Sequence, residues 1–167
     1  IIPNIDKKIL IKVCLLSLKD SLMNFLNNND LEINLNLIHD NSDEKFNNEL
    51  KKLLSNKKFN IKFIIIKTKN NHGSYLECCD NCEKVKDLIF FIEDDYLFKE
   101  NAIEELLITY SRLSTLIEKD IFLCPSDYPF YYDSIYNTSL FIGKNFRWRR
   151  VKECLLTFLF SKNLFNK

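Results

Sequence analysis

Residues 87–96 read Asp-Leu-Ile-Phe-Phe-Ile-Glu-Asp-Asp-Tyr, an apolar run over 88–92 followed at once by Glu93, Asp94 and Asp95. A run this short, uniformly apolar and rich in β-branched and aromatic residues predicts a strand buried on both faces, as inside a parallel sheet. The acids then sit at its carboxyl end. Ligands of open α/β sheets bind outside the carboxyl ends of the strands, so the cluster is placed to hold a divalent cation against a phosphorylated ligand. The plainer alternative is that the same acids are solvated caps of the next helix, although three adjacent acids after a fully buried strand favour the functional reading.

Upstream of this strand, elements alternate. Leu15, Leu18, Leu22, Phe25 and Leu26 repeat at helical spacing, with Asp6 as a cap and Asn27 to Asp30 as a stop. Residues 33–38 alternate apolar and polar as a strand, which ends in His39, Asp40, Asn41, Ser42 and Asp43. A helix over 44–56 follows, with Phe46, Leu50, Leu53 and Leu54 inside and Ser42 or Asp43 as its cap. Residues 61–66 form the next strand, Asn70, Asn71, His72 and Gly73 a turn, and 74–86 a helix that buries Tyr75, Cys78, Cys79, Cys82 and Val85.

Downstream, Asn101 and Glu104 resemble a capping box, and Ile103, Leu106, Leu107, Tyr110, Leu113 and Ile117 continue as an amphipathic helix. Residues 121–124 predict a short strand broken by Pro125, and 136–142 a strand that is antiparallel or at an edge. Val151, Leu155, Phe158 and Leu159 predict a closing helix. The alternation implies a single domain over 1–167 of α/β class, with a mostly parallel central sheet flanked by helices.

Composition narrows the partners. The 24 basic and 23 acidic residues leave a net charge of +1, which gives no footprint for a nucleic acid. No apolar run reaches the ~20 residues that span a bilayer, so membrane contact is expected to be peripheral at most. The six cysteines, with no secretory signal ahead of them, predict reduced thiols and a cytoplasmic location. Cys78, Cys79 and Cys82 fall on one helix face and lack a second pair at ligand spacing, so they read as packing residues rather than a zinc site.

Three polar clusters fall at strand ends: 40–43, 70–73 and 93–95. Right-handed crossovers would bring them to one edge of the sheet. Asp-Asn-Ser-Asp at 40–43, the Asn-X-Gly turn at 71–73 and the Glu-Asp-Asp strand end together resemble the nucleotide-sugar glycosyltransferases of the GT-A fold, family 2 in particular. The likeness runs from about residue 32 to 127. It implies that Asp40, with Ser42 and Asp43 beside it, contacts the nucleoside. It further implies that Asn71, Gly73 and Asp94 complete the nucleotide site, and that Asp95, supported by Asp94 and Glu93, ligates Mn²⁺ or Mg²⁺ on the donor diphosphate. It also implies inversion at the anomeric carbon. The chain departs from the family in having His39-Asp40 where a pair of acids is usual, and in leaving only Ile1 and Ile2 for the usual first strand.

A sugar transfer also needs a carboxylate to take the proton of the acceptor hydroxyl. Asp127 is the first candidate, Asp133 the second and Glu153 the third, although Asp127 in Ser-Asp-Tyr-Pro equally suits a turn. Tyr128, Phe130, Tyr131 and Tyr132 offer faces to an acceptor sugar or packing beneath a loop. Lys144, Arg147, Arg149 and Arg150, with Trp148 among them, suit a diphosphate or a phosphorylated acceptor, or a solvated face. His39 and His72 read as loop histidines near the site. The rival functions are a nucleotidyltransferase, which the lack of a glycine-rich loop disfavours, and a non-catalytic nucleotide- or carbohydrate-binding module.

Overall fold

A computed structural model describes residues 5–40, 42–68, 70–126, 128–132, 138–154 and 157–167, with the side chains of Asn71, Phe130 and Tyr132 set aside. The protein is mixed α/β and divides into two compact units: Ile1–Lys84 with Asp94–Asn101, and Val85–Glu93 with Ala102–Lys167.

The first unit holds α1 (Lys7–Asn28), β1 (Asn34–Asp40), α2 (Glu44–Leu54), β2 (Asn60–Ile66) and α3 (Asn71–Cys82). Asp6 starts α1 by accepting the Lys8 N–H at 2.8 Å. Leu15, Leu18, Leu22 and Leu26 are buried, as their spacing predicts. Asp43 caps α2 by accepting the Phe46 N–H at 2.7 Å. At the far end of α2, Lys19 donates to the carbonyls of Leu53 and Ser55 at 2.8 and 2.9 Å, placing a cation on orphaned helix carbonyls. Asn56 Oδ1 then accepts from Lys58 N and Phe59 N at 2.8 and 2.9 Å, turning the chain into β2.

β1 and β2 pair in parallel, Asn34 with Asn60 through Asp40 with Ile66. Leu35, Leu37, Ile61 and Phe63 pack on a cluster of Leu15, Phe46, Leu50 and Leu54 from α1 and α2. Leu50 and Leu54 are fully buried, and each contributes about 2 kcal/mol of transfer free energy.

The second unit holds β3 (Leu88–Phe91), α4 (Ala102–Ile117), a 3-10 turn (Pro129–Tyr132), β4 (Leu140–Ile142), β5 (Arg147–Arg149), β6 (Phe158–Ser161) and α5 (Lys162–Phe165). Several expectations are corrected here. Phe158 and Leu159, expected in the closing helix, lie in a strand instead: Leu88 pairs with Ser161 and Phe91 with Phe158, antiparallel, whereas Leu155 of that expected helix lies outside the described residues. Phe158-Leu159-Phe160 alternates between the two faces of this ribbon. Leu159 meets Leu106, Tyr110, Leu113 and Leu123 on one side, and Phe158 and Phe160 meet Phe91 and Phe122 on the other. A period of two thus fits the aromatic residues better than the helical spacing of Val151, Leu155, Phe158 and Leu159.

Of the expected mostly parallel central sheet, one parallel pair is present. Among the described residues only β1 and β2 are parallel, and β3 belongs to a separate antiparallel pair. Of β3 only Ile89 is fully buried, the others being half-buried. Residues 121–124 contribute one antiparallel bridge, Leu123 to Leu159, rather than a strand.

α4 ends as its apolar spacing predicts. Glu118 adopts φ 52° just beyond the last turn, and Lys119 N donates back to Ser114 O at 3.1 Å. Among the described residues no helix is long and apolar enough to cross a membrane.

Candidate functional site

The parallel register of β1 and β2 brings the first two polar clusters together at one end of the pair. Asp40, the last residue of β1, accepts from Thr68 N at 3.0 Å, Thr68 Oγ1 at 2.8 Å and Asn70 N at 3.1 Å. Its carboxylate therefore holds the β2–α3 loop in place. Asn70 caps α3 by accepting the Gly73 N–H at 2.7 Å. The helix begins at Asn71, three residues earlier than expected, because this side-chain acceptor satisfies the first turn. A Cβ on Gly73 would lie 2.4 Å from Thr68 Cβ, so the close approach of α3 to the loop needs glycine there. The side chain of Asn71, an expected nucleotide contact, lies outside the described residues.

Asp43 is engaged in capping α2 and in a 2.5 Å ion pair with Lys8, which holds its carboxyl below the usual range. Ser42 Oγ lies 3.4 Å from His39 Nδ1. His39 is 6% exposed and stacks on Phe63 with centroids 5.7 Å apart. Its Nε2 is buried with no hydrogen-bond partner among the described residues. Burial lowers the imidazole pKa, the charge of Asp94 opposes that, and Lys51 lowers it further. His72 is exposed on the first turn of α3.

Beyond β3 the boundary between units falls between Glu93 and Asp94. In the second unit the half-buried Glu93 donates its N–H to Thr157 Oγ1 at 3.1 Å. Asp94 and Asp95 form an exposed turn assigned to the first unit. Their charges reach other residues there: burial raises the Cys14 thiol pKa, and Asp95 and Asp94 raise it further. Neither carboxylate makes a hydrogen bond or ion pair among the described residues.

Among those residues no group of three or more His, Cys, Asp and Glu side chains could cage a metal ion. Mg²⁺ and Mn²⁺ on a phosphorylated substrate need no such cage, since one or two carboxylates suffice beside the phosphates and water. Two open aspartates fit that kind of cation.

Asp127 and Asp133, the expected proton acceptors, lie outside the described residues. The aromatic stretch is partly a packing element. Tyr131 is 5% exposed, donates its hydroxyl to Glu153 O at 3.0 Å, and has its pKa pushed up to about 12 by burial. The half-buried Tyr128 meets it edge-on at 5.8 Å, and the Arg149 guanidinium lies 5.5 Å from its ring centre. Arg150 is exposed. Cys78 and Cys79 are half-buried and Tyr75 exposed, so of the expected inner face of α3 only Cys82 is fully buried.

One polar hub has no counterpart in the sequence reading. Glu105 on α4 is 3% exposed. Its carboxylate accepts from Lys144 N at 3.1 Å, Asn145 N at 2.6 Å, Trp148 Nε1 at 3.0 Å and Thr109 Oγ1 at 3.0 Å. Burial pushes this carboxyl up, but the hydrogen bonds, led by that of Trp148, outweigh it and hold the pKa below the usual value. Trp148 is thus a structural donor. A Cβ on Gly143 would lie 2.4 Å from both Glu105 Oε1 and Trp148 Nε1, so the β4–β5 turn fits over the carboxylate only with glycine. The sole sequence signal was an acid flanked by Ile103 and Leu106 within the apolar face of a helix.

No family model, curated protein or solved structure matches this chain.

Proposed function

We propose that the protein is a metal-dependent glycosyltransferase, moving a sugar from a nucleoside diphosphate donor to a hydroxyl acceptor, with the nucleotide at the carboxyl end of β1 and β2. The observation that carries this reading is the pair of open carboxylates, Asp94 and Asp95, in the unit whose Asp40-held loop forms that end. The charge of Asp94 is felt by His39, the neighbour of Asp40. Asp95 and Asp94 would hold Mn²⁺ or Mg²⁺. When bound, the ion would neutralise charge developing on the departing diphosphate. Asp40 orients the loop that faces the nucleotide.

Binding to the native state raises apparent stability, so UDP or GDP with Mn²⁺ should raise the melting temperature more than either component alone. Asp95→Ala should abolish the metal-dependent part. No synergy between nucleotide and metal would remove the proposal.

The engagement of Asp40 by three donors also supports a non-catalytic binding module, because that carboxylate has structural work already. The two readings separate on turnover. A transferase hydrolyses sugar nucleotides slowly in the absence of acceptor, whereas a module binds them unchanged.

A further inference from the structure

The β4–β5 hairpin has two faces with different fates. Phe141 and Trp148, paired across the strands, turn inward onto the Leu106, Tyr110 and Leu113 cluster. Leu140 and Ile142, paired with Arg149 and Arg147, are on the opposite face. These two aliphatic side chains are 69% and 73% exposed, and Phe146 at the turn is 43% exposed. Arg147 and Arg150 are exposed and make no side-chain hydrogen bond or ion pair among the described residues. From 140 to 152 the sequence carries Lys144, Arg147, Arg149, Arg150 and Lys152 and no acid.

This display is held in place. Glu105 accepts the N–H groups of the turn, Arg112 donates to Gly143 O at 2.5 Å, and Lys144 pairs with Glu104 at 2.5 Å. Arg150 N donates to Ser139 O at 3.0 Å. A hairpin tied to its helix by a buried carboxylate, yet presenting leucine and isoleucine to water beside the exposed Arg147, has its binding face ready without further ordering.

We propose that the outer face of this hairpin docks on an anionic phospholipid surface, with Leu140 and Ile142 entering the boundary between head groups and acyl chains, and with Arg147 beside them and the exposed Arg150 just past the end of β5 meeting the phosphates. The charge of the exposed Arg147 and Arg150 is complementary to such a surface, and the apolar pair supplies what a purely electrostatic partner such as a nucleic acid would not require. This inference does not rest on the transferase reading.

The full chain should sediment with vesicles of phosphatidylcholine mixed with phosphatidylglycerol and not with phosphatidylcholine alone. Added salt should weaken binding through screening. Arg147→Gln with Arg150→Gln should reduce partitioning about fivefold per charge removed. Leu140→Ser with Ile142→Ser, at exposed positions that should leave the urea midpoint unchanged, should reduce binding at low and high salt alike. Equal sedimentation with both vesicle types, none with either, or both double variants sedimenting as the parent does would overturn the proposal. So would capture by polyuridylate of a chain that ignores the vesicles. The vesicle assay contains no nucleotide or metal, so its outcome is separate from that of the nucleotide experiment.

Discussion

Asp40 and Glu105 do similar work in the two units under different conditions. Each is a carboxylate that gathers backbone N–H groups from a loop and adds a side-chain donor: Thr68 Oγ1 for Asp40, Thr109 Oγ1 and Trp148 Nε1 for Glu105. Asp40 is half-buried at a strand end, where water can replace a lost partner. Glu105 is 3% exposed, where nothing can. The number of bonds is therefore a poor guide to what each carboxylate is worth. The cost of losing it follows from what its donors would face afterwards.

That contrast is open to direct test. Glu105→Ala should lower unfolding stability by about 3–5 kcal/mol in urea titrations, because several buried donors lose their acceptor together. A loss below about 1 kcal/mol would show that the hairpin relaxes to water and that the two hubs are equivalent. Asp40→Ala should cost about 1–2 kcal/mol. Its effect should be local, with hydrogen exchange accelerating around Thr68 and Asn70 while α2 stays protected.

Acidity sharpens the same comparison. The folded state depresses the Glu105 pKa, so its stabilising contribution is fully present above the unfolded value near ~4.3 and disappears as pH falls through the lower folded value. The stability gap between wild type and Glu105→Gln should be constant at neutral pH and shrink below about pH 4. A gap independent of pH down to acid unfolding would count against the charged carboxylate. The smallest effect is expected away from both hubs: Glu118→Gly relieves a left-handed backbone and should add about 0.5–1 kcal/mol in the same titrations.

Much of the first unit was legible from its residues. Asp6 and Asp43 are caps, the α1 and α2 stripes are buried except for the half-buried Phe25 and Leu53, and β1 and β2 are parallel with their polar ends together. Those features are local, or set by periodicity that one core face enforces. The second unit was less legible because its order comes from distant pairs. Nothing near 88–91 specifies an antiparallel partner at 158–161, and the aromatic residues there suit a strand or a helix by spacing alone. Glu105 was overlooked for a related reason. A helix pattern shows that an acid lies between apolar positions, but only the returning hairpin supplies the donors that make its burial tolerable. Of the candidate site, the Asp40 loop and the adjacent acids could be read, whereas the engagement of Asp43 by Lys8 and of Tyr131 by Glu153 O depended on tertiary neighbours.

The pairing of β3 with β6 also sets a timetable for the nascent chain. Leu88–Phe91 leaves the ribosome well before Phe158–Ser161, by roughly 3 to 13 s at ordinary elongation rates. Throughout that interval an apolar ribbon has no partner of its own, which makes the half-synthesised second unit the species most in need of a chaperone.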